Sequence, residues 1–262
     1  MVDELKNKHA LVCGASEGIG KAAAMALAQM GCTITLLARN KERLAEVRDA
    51  LPTLSGQKHQ CIAADMGNLT DLRDAVSEAL AKWGGIHILV NNSGGPAAGP
   101  LIHEPIEKFE SIFRQHVLSA QTLVQLLLDG MIAAGYGRII NVISTSVKAP
   151  LPNLGVSNTV RGAMSSWSKT LAGEVAPWGV TVNNVLPGAT DTLRLRGLIA
   201  SKALKMNRTE EEIAKEMQEE IPLGRFAQPE EVAHAIAFLA SPRAAYISGI
   251  NLPVDGGRLK NL

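Results

Sequence analysis

Residues 9–38, HALVCGASEGIGKAAAMALAQMGCTITLLA, decide how the rest of the chain is read. His9–Cys13 is an apolar run of strand length, Lys21–Met30 carries a helical pattern, and Thr33–Ala38 is a second strand-like run. Between the first strand and the helix stand Gly14, Gly18 and Gly20. Glycines at such a joint allow a tight turn, and the backbone N–H groups of the helix N-terminus stabilise a phosphate brought against them. The spacing is G-x-x-x-G-x-G, not the G-x-G-x-x-G of the commonest dinucleotide fingerprint. Taken alone, it also fits an ordinary strand–turn–helix joint.

Outward from this stretch the same alternation continues. A charged helix is expected over Lys41–Ala50, a strand at His59–Ala64, a helix at Leu69–Trp83 and a strand at His87–Val90. Ile106–Ala133 holds one long or broken helix, followed by a strand at Arg138–Ile143, a helix from Ser157 to Ala176 and a strand at Thr181–Leu186. Pro229–Ala240 reads as the last helix and Gly249–Pro253 as the last strand. This alternation predicts α/β architecture: one doubly wound domain over residues 1–262, with about seven parallel strands and helices on both faces. The less regular Asp191–Arg225 is charged and helix-prone. Ligands of such sheets bind beyond strand ends, so residues 191–225 are placed to be a substrate lid; a surface helical excursion is the alternative.

The bulk numbers exclude several classes. With 26 Lys and Arg against 25 Asp and Glu, the net charge is +1, and no basic surface for nucleic acid or membrane is expected. Cys13, Cys32 and Cys61 lack metal-type spacing and read as buried small hydrophobes, so no metal is expected. The N-terminal MVDELKNK has no signal-peptide core, and no apolar run reaches the roughly 18 residues of a membrane span. A cytoplasmic protein is expected.

Further features stand in step with the first loop: Asp65 after the third strand, Asn91-Asn92-Ser93-Gly94 after the fourth, Pro187-Gly188 after the sixth, and Val254-Asp255-Gly256-Gly257 near the end. Together they resemble the short-chain dehydrogenase/reductase family over essentially the whole chain, in particular its 3-oxoacyl-carrier-protein reductases. The resemblance implies a Rossmann fold and a nicotinamide cofactor. Gly14, Ser16, Glu17, Gly18, Ile19 and Gly20 would form the glycine-rich loop, with Asp65 and Met66 on the adenine and Asn92, Ser93 and Gly94 near the ribose. Pro187 and Gly188 would form the turn that precedes Thr190 and Thr192, near the nicotinamide amide and the phosphates. A homotetramer or homodimer is implied in the same way. At the end of the second strand, Ala38-Arg39 offers a guanidinium and no carboxylate, which favours the 2′-phosphate of NADPH. Against that, Arg39 can be a merely solvated charge, as Arg43 is expected to be, and Glu17 stands where some NADP-using relatives carry a basic residue.

The resemblance also fixes where the family's Asn, Ser, Tyr and Lys would stand. Ser144 follows the fifth strand at the serine position. Thirteen residues onward lies Ser157, with Arg161 four beyond, and counting back from Val182-Asn183 reaches the same pair. The asparagine position, just before Val117, is His116. Only the serine is retained. Tyr136 lies at the far end of the sheet and Tyr246 reads as structural, so the tyrosine is absent. The reading that follows has Ser144 and Ser157 polarising a carbonyl, Arg161 holding the ribose, and His116, titrating near pH 7, feeding the proton through water. A packed histidine and a helix-capping Ser157 are the alternative. The function expected is an NADPH-dependent reductase of a ketone or 3-oxoacyl thioester. A catalytically silent nicotinamide-binding sensor or assembly protein is its rival, and reduction of an activated double bond a third reading.

Overall fold

The computed structural model describes residues 3–261. Its strands are β1 (His9–Cys13), β2 (Thr33–Ala38), β3 (Gln60–Ala63), β4 (Ile88–Asn91), β5 (Gly137–Val142), β6 (Val180–Pro187) and β7 (Asn251–Val254). They form one seven-stranded sheet in the order β3-β2-β1-β4-β5-β6-β7, every pair parallel. The helices are α1 (Gly18–Gln29), α2 (Lys41–Ala50), α3 (Leu69–Trp83), α4 (Ile106–Phe113), α5 (Ser119–Ala133), α6 (Gly155–Val175), α7 (Leu193–Met206), α8 (Glu210–Glu219) and α9 (Pro229–Ala240). The predicted doubly wound sheet is therefore present, with β1 and β2 as expected and the other strand ends displaced by one or two residues.

Both faces are covered, which is why β1 is buried along its whole length. Ala10 and Val12 point into a core shared with α1, α2 and α9. Leu11 and Cys13 point to the opposite core, made with α3, α5 and α6. Alanines at 22, 23 and 24 of α1 and at 233 and 237 of α9 keep both helices slim where they pack together. All three cysteines are free, two of them buried.

A polar row interrupts this apolar interior. Asn91, Asn141, Asn184 and Asn251 are aligned partners on β4, β5, β6 and β7. Each donates from Nδ2 to the Oδ1 of the next, at 2.8, 3.1 and 2.8 Å. Asn251 Nδ2 closes the row on Ser165 Oγ of α6 at 3.0 Å, and Ser168 bonds both Asn141 and Asn184.

Three expectations are corrected and one open alternative is decided. α1 opens at Gly18 rather than Lys21, because the glycine loop itself forms the first turn. α6 opens at Gly155, so Ser157 lies inside its first turn and does not cap it; the cap position is Leu154, without a side-chain bond. The 106–133 segment, read as one long or broken helix, is the former, continuous through a π-helical turn at Arg114–Leu118. That helix is long and apolar enough to cross a membrane by length and composition, although no unbroken apolar run exists; Leu123, Leu127 and Met131 instead pack under the sheet. Finally, Tyr246 is fully exposed and holds nothing in place.

The 191–225 segment folds into α7 and α8. Thr192 accepts from Leu195 N to cap α7, and Thr209 and Glu212 form a capping box on α8. Leu195, Ile199, Ala203 and Ile213 give the pair a small core of its own.

Candidate active site

The chain leaves β1 and β4 toward opposite edges of the sheet, which makes the crevice beyond their carboxyl ends the switch point where such sheets bind ligands. A cleft of about 690 Å³ opens there. Its floor is held by Asn92, whose Nδ2 donates to Cys13 O at 3.2 Å and Gly14 O at 3.3 Å. Gly14 has φ +57°, and a Cβ there would stand 2.7 Å from Asn92 O, so no larger residue fits. Every residue predicted to touch the cofactor lines the cleft except Gly20. Gly20 lies just beneath, its missing side chain leaving room for Gly14 O.

The N-terminus of α1 opens on this cleft with neither a side-chain cap nor an acidic residue in its first turn. Uncapped N–H groups and an uncompensated helix dipole suit a pyrophosphate. At the far end, exposed Arg39 lines the cleft beside Arg43, which is paired with Glu17 at 3.1 Å. Arg43, exposed as expected, also lines the cleft, and its pairing with Glu17 offsets a carboxylate that would oppose a 2′-phosphate. The residues present fit a nicotinamide dinucleotide phosphate.

At the opposite end Ser144, Ser157 and Arg161 line the same cleft. Ser144 Oγ accepts from Ser146 N at 3.0 Å, which orients the hydroxyl. Arg161 is buried, with Nη1 donating to Val142 O at 2.6 Å. Burial, then the charge of Arg194, lowers its pKa to about 10, so it remains a cation at neutral pH.

His116 departs from its predicted role. It sits in the π-helical turn, is buried, and does not line the cleft. Its ring faces Ser93 Oγ, 2.9 Å from Nδ1 and 3.3 Å from Nε2. Burial, then the Arg161 charge, pushes its pKa well below the usual histidine range. It is a neutral partner of Ser93, and the expectation that it titrates near pH 7 is corrected.

The structure adds residues that the sequence did not single out. Gln115 donates from Nε2 to Gly94 O at 3.1 Å. Arg194 at the start of α7 donates to Pro96 O and faces the cleft. Leu198 and Met217, from α7 and α8, wall the same end. Their positions within a charged insertion after a strand end were visible, but helix phase alone does not tell which side faces a ligand. Lys148 and both tyrosines lie off the cleft; Tyr136 OH instead donates to Ala240 O at 2.5 Å.

Comparison with known proteins agrees with this geometry. A family model described as Enoyl-(Acyl carrier protein) reductase matches residues 14–258. The 3-oxoacyl-[acyl-carrier-protein] reductase FabG of Vibrio cholerae is 35% identical over 255 residues, covering 97% of this chain and 98% of the relative. Among solved structures, the L-sorbose reductase of Gluconobacter frateurii, complexed with NADPH and L-sorbose, superposes with a TM-score of 0.93 at 34% identity, covering 100% of both chains. YwfH, an NADPH-dependent reductase of bacilysin biosynthesis, superposes with a TM-score of 0.92 at 27% identity, covering 97% of this chain and 99% of that one. Matched nearly end to end, the chain belongs to the short-chain dehydrogenase/reductase family, as an NAD(P)-dependent oxidoreductase of the 3-oxoacyl-carrier-protein-reductase-like kind.

Proposed function

We propose that the chain reduces a carbonyl compound with NADPH, without the tyrosine acid of its relatives. The observation that carries the proposal is one continuous cleft running from Arg39 and the glycine loop to Ser144, Ser157 and Arg161. When bound, NADPH supplies the hydride. Negative charge developing on the substrate oxygen is met by the hydroxyls of Ser144 and Ser157 and by the fixed charge of Arg161. A guanidinium that stays protonated is a stabiliser and not a shuttle, so the proton is drawn from water in the open cleft. Helices α7 and α8 serve as the substrate lid over residues 191–225, since Leu195, Leu198 and Met217 line the cleft. Relatives described as NADPH-dependent or bound to NADPH support the cofactor choice.

The test is NADPH titration by fluorescence, followed by loss of NADPH absorbance with ketones, 3-oxoacyl thioesters and quinones. Turnover of a carbonyl supports the reading; tight NADPH binding without any turnover supports the silent binding protein. A second reading, hydride delivery to an activated C=C bond, is favoured by Arg161: an enolate is already delocalised, so a fixed cation suffices without a strong acid. Enones in the same panel separate the two.

Assembly as a homotetramer or homodimer belongs to the same proposal. It is supported by the exposure of Ile106, Phe113 and Leu118 along the 106–133 helix and of Phe238 on α9, and light scattering tests it. A cytoplasmic location is supported by three unpaired thiols.

A further inference from the structure

Two guanidinium groups converge at the reactive end of the cleft, and no carboxylate meets them. A Cβ built on Gly95 would stand 3.6 Å from Arg194 Nη2 and 3.9 Å from Arg161 Nη2. Gly95 has no such atom, so a gap lies between the two cations. Among the described residues neither arginine forms an ion pair, whereas the cleft's Arg43 and Arg258 are paired, with Glu17 and Glu220. Arg161 is 8% exposed, and its one protein bond uses Nη1, leaving Nη2 toward the gap. A buried charge without a counter-charge is costly to hold, and the charge of Arg194 makes that of Arg161 harder still to keep.

We propose that the substrate carries a free carboxylate, seated between Arg161 and Arg194 over Gly95, beside the carbonyl that meets Ser144 and Ser157. The inference rests on the carbonyl-reductase reading and narrows it to an oxo acid. A carboxylate accepts from both guanidinium groups at once. The dinucleotide gives them no counter-charge: its pyrophosphate faces the α1 N-terminus, Arg39 and Arg43 serve the adenosine end, and the ribose that Arg161 was expected to hold is neutral. A thioester group is uncharged and places no anion beside the reacting carbonyl. Arg161 lies one helical turn beyond Ser157 on the same face, which sets the carboxylate close to the reacting carbon, as in a 2-oxo or 3-oxo acid. Leu151, Leu154, Leu198 and Met217 supply apolar wall in the same cleft, which suits an acid with an aliphatic or aromatic body.

The experiment is calorimetric titration of hexanoate and of hexanamide, an uncharged isostere, into the NADP-loaded protein. Hexanoate is expected to bind about tenfold or more tightly than hexanamide. Arg194→Gln removes that preference with NADPH affinity unchanged, and Arg194→Lys restores part of it. Equal binding of the two probes, no binding of hexanoate, or a loss in Arg194→Gln confined to NADPH affinity overturns the proposal. Turnover is read separately with 2-oxohexanoate, 3-oxohexanoate and their ethyl esters. Discrimination between the probes without reduction of any carbonyl leaves the carboxylate site standing and removes the reductase reading. Reduction of esters as fast as acids does the reverse.

Discussion

Ser93 Oγ lies 2.9 Å from Nδ1 of His116, tying the turn after β4 to the π-helical turn between α4 and α5. The contact is polar, half-buried and neutral, because the burial of His116 and the nearby Arg161 charge both hold the imidazole unprotonated. The histidine keeps the shape of the cleft wall without carrying a proton through it.

For pH dependence, kcat/KM is therefore expected to vary by less than about twofold between pH 6 and 8. A pH–rate profile checks this. An inflection near pH 7 that vanishes in His116→Asn would restore the proton relay.

Cofactor choice rests on Arg39 and Arg43. Arg39→Ser is expected to weaken NADPH about tenfold and leave NADH unchanged. Glu17→Gln frees Arg43 from its partner and is expected to tighten NADPH. Fluorescence titration of both nucleotides reads these effects, and an equal loss for NADH would place Arg39 outside the phosphate site.

Loss of the fixed cation should be felt in turnover and, for a substrate that carries a carboxylate, in KM as well. Arg161→Met is expected to lower kcat by about 10²–10³, the effect of removing one oxyanion-stabilising group. Ser157→Ala is expected to cost less, since Ser144 retains a donor at the same oxygen. Steady-state kinetics at saturating NADPH decide, with circular dichroism confirming the fold.

Acid stability follows from the histidines at the amino ends of the strands. His9 is lowered to about 4 by burial, then by the charges of His87 and His59, and burial also lowers His59 and His87. In the unfolded chain these groups take up protons near pH 6.5, whereas the fold resists protonation of His9 until about pH 4. Stability is thus complete above pH 6.5 and falls as pH drops from there toward 4, by about 3 kcal/mol for His9 alone. Denaturant titrations at pH 7.5, 6 and 4.5 measure the slope; a flat response would show that these side chains are hydrated in solution.

The asparagine row gives the last prediction. Asn184→Ala removes one bond from Asn141 Nδ2 and one to Asn251 Oδ1, while each keeps a serine partner, Ser168 and Ser165, so the cost is that of lost bonds, roughly 1 kcal/mol each, and not of orphaned groups. A total loss of about 2 kcal/mol is expected by chemical denaturation, with NADPH affinity retained.

Much of the frame was legible because its causes are local. His9–Cys13 and Thr33–Ala38 have the length and side chains of strands, and the glycines between them admit one joint. Ser144, Ser157 and Arg161 were placed by counting along the chain, and the structure brings all three to one cleft. What escaped depends on distant contacts. His116 looked titratable until its burial among α4, α5 and the β4 turn was known. The place of Arg43 on the cleft was missed because its partner Glu17 lies 26 residues away. Arg194 gained meaning only from Gly95, which stands on the other side of the cleft. Ser157 missed its expected cap position because the helix begins two residues earlier, at Gly155, without a side-chain cap.

The row of amides across β4–β7 also bears on how the sheet assembles. Strands buried on both faces are apolar almost throughout, so a neighbour displaced along its length still buries oil against oil. Hydrophobicity alone therefore says little about which alignment is correct. Asn91, Asn141, Asn184 and Asn251 supply that information: only one alignment lets each amide hand its hydrogen to the next, and a slip of any strand strands several of them in a dry interior. The row works as a proofreading key, penalising misaligned sheets during folding more than it strengthens the finished one.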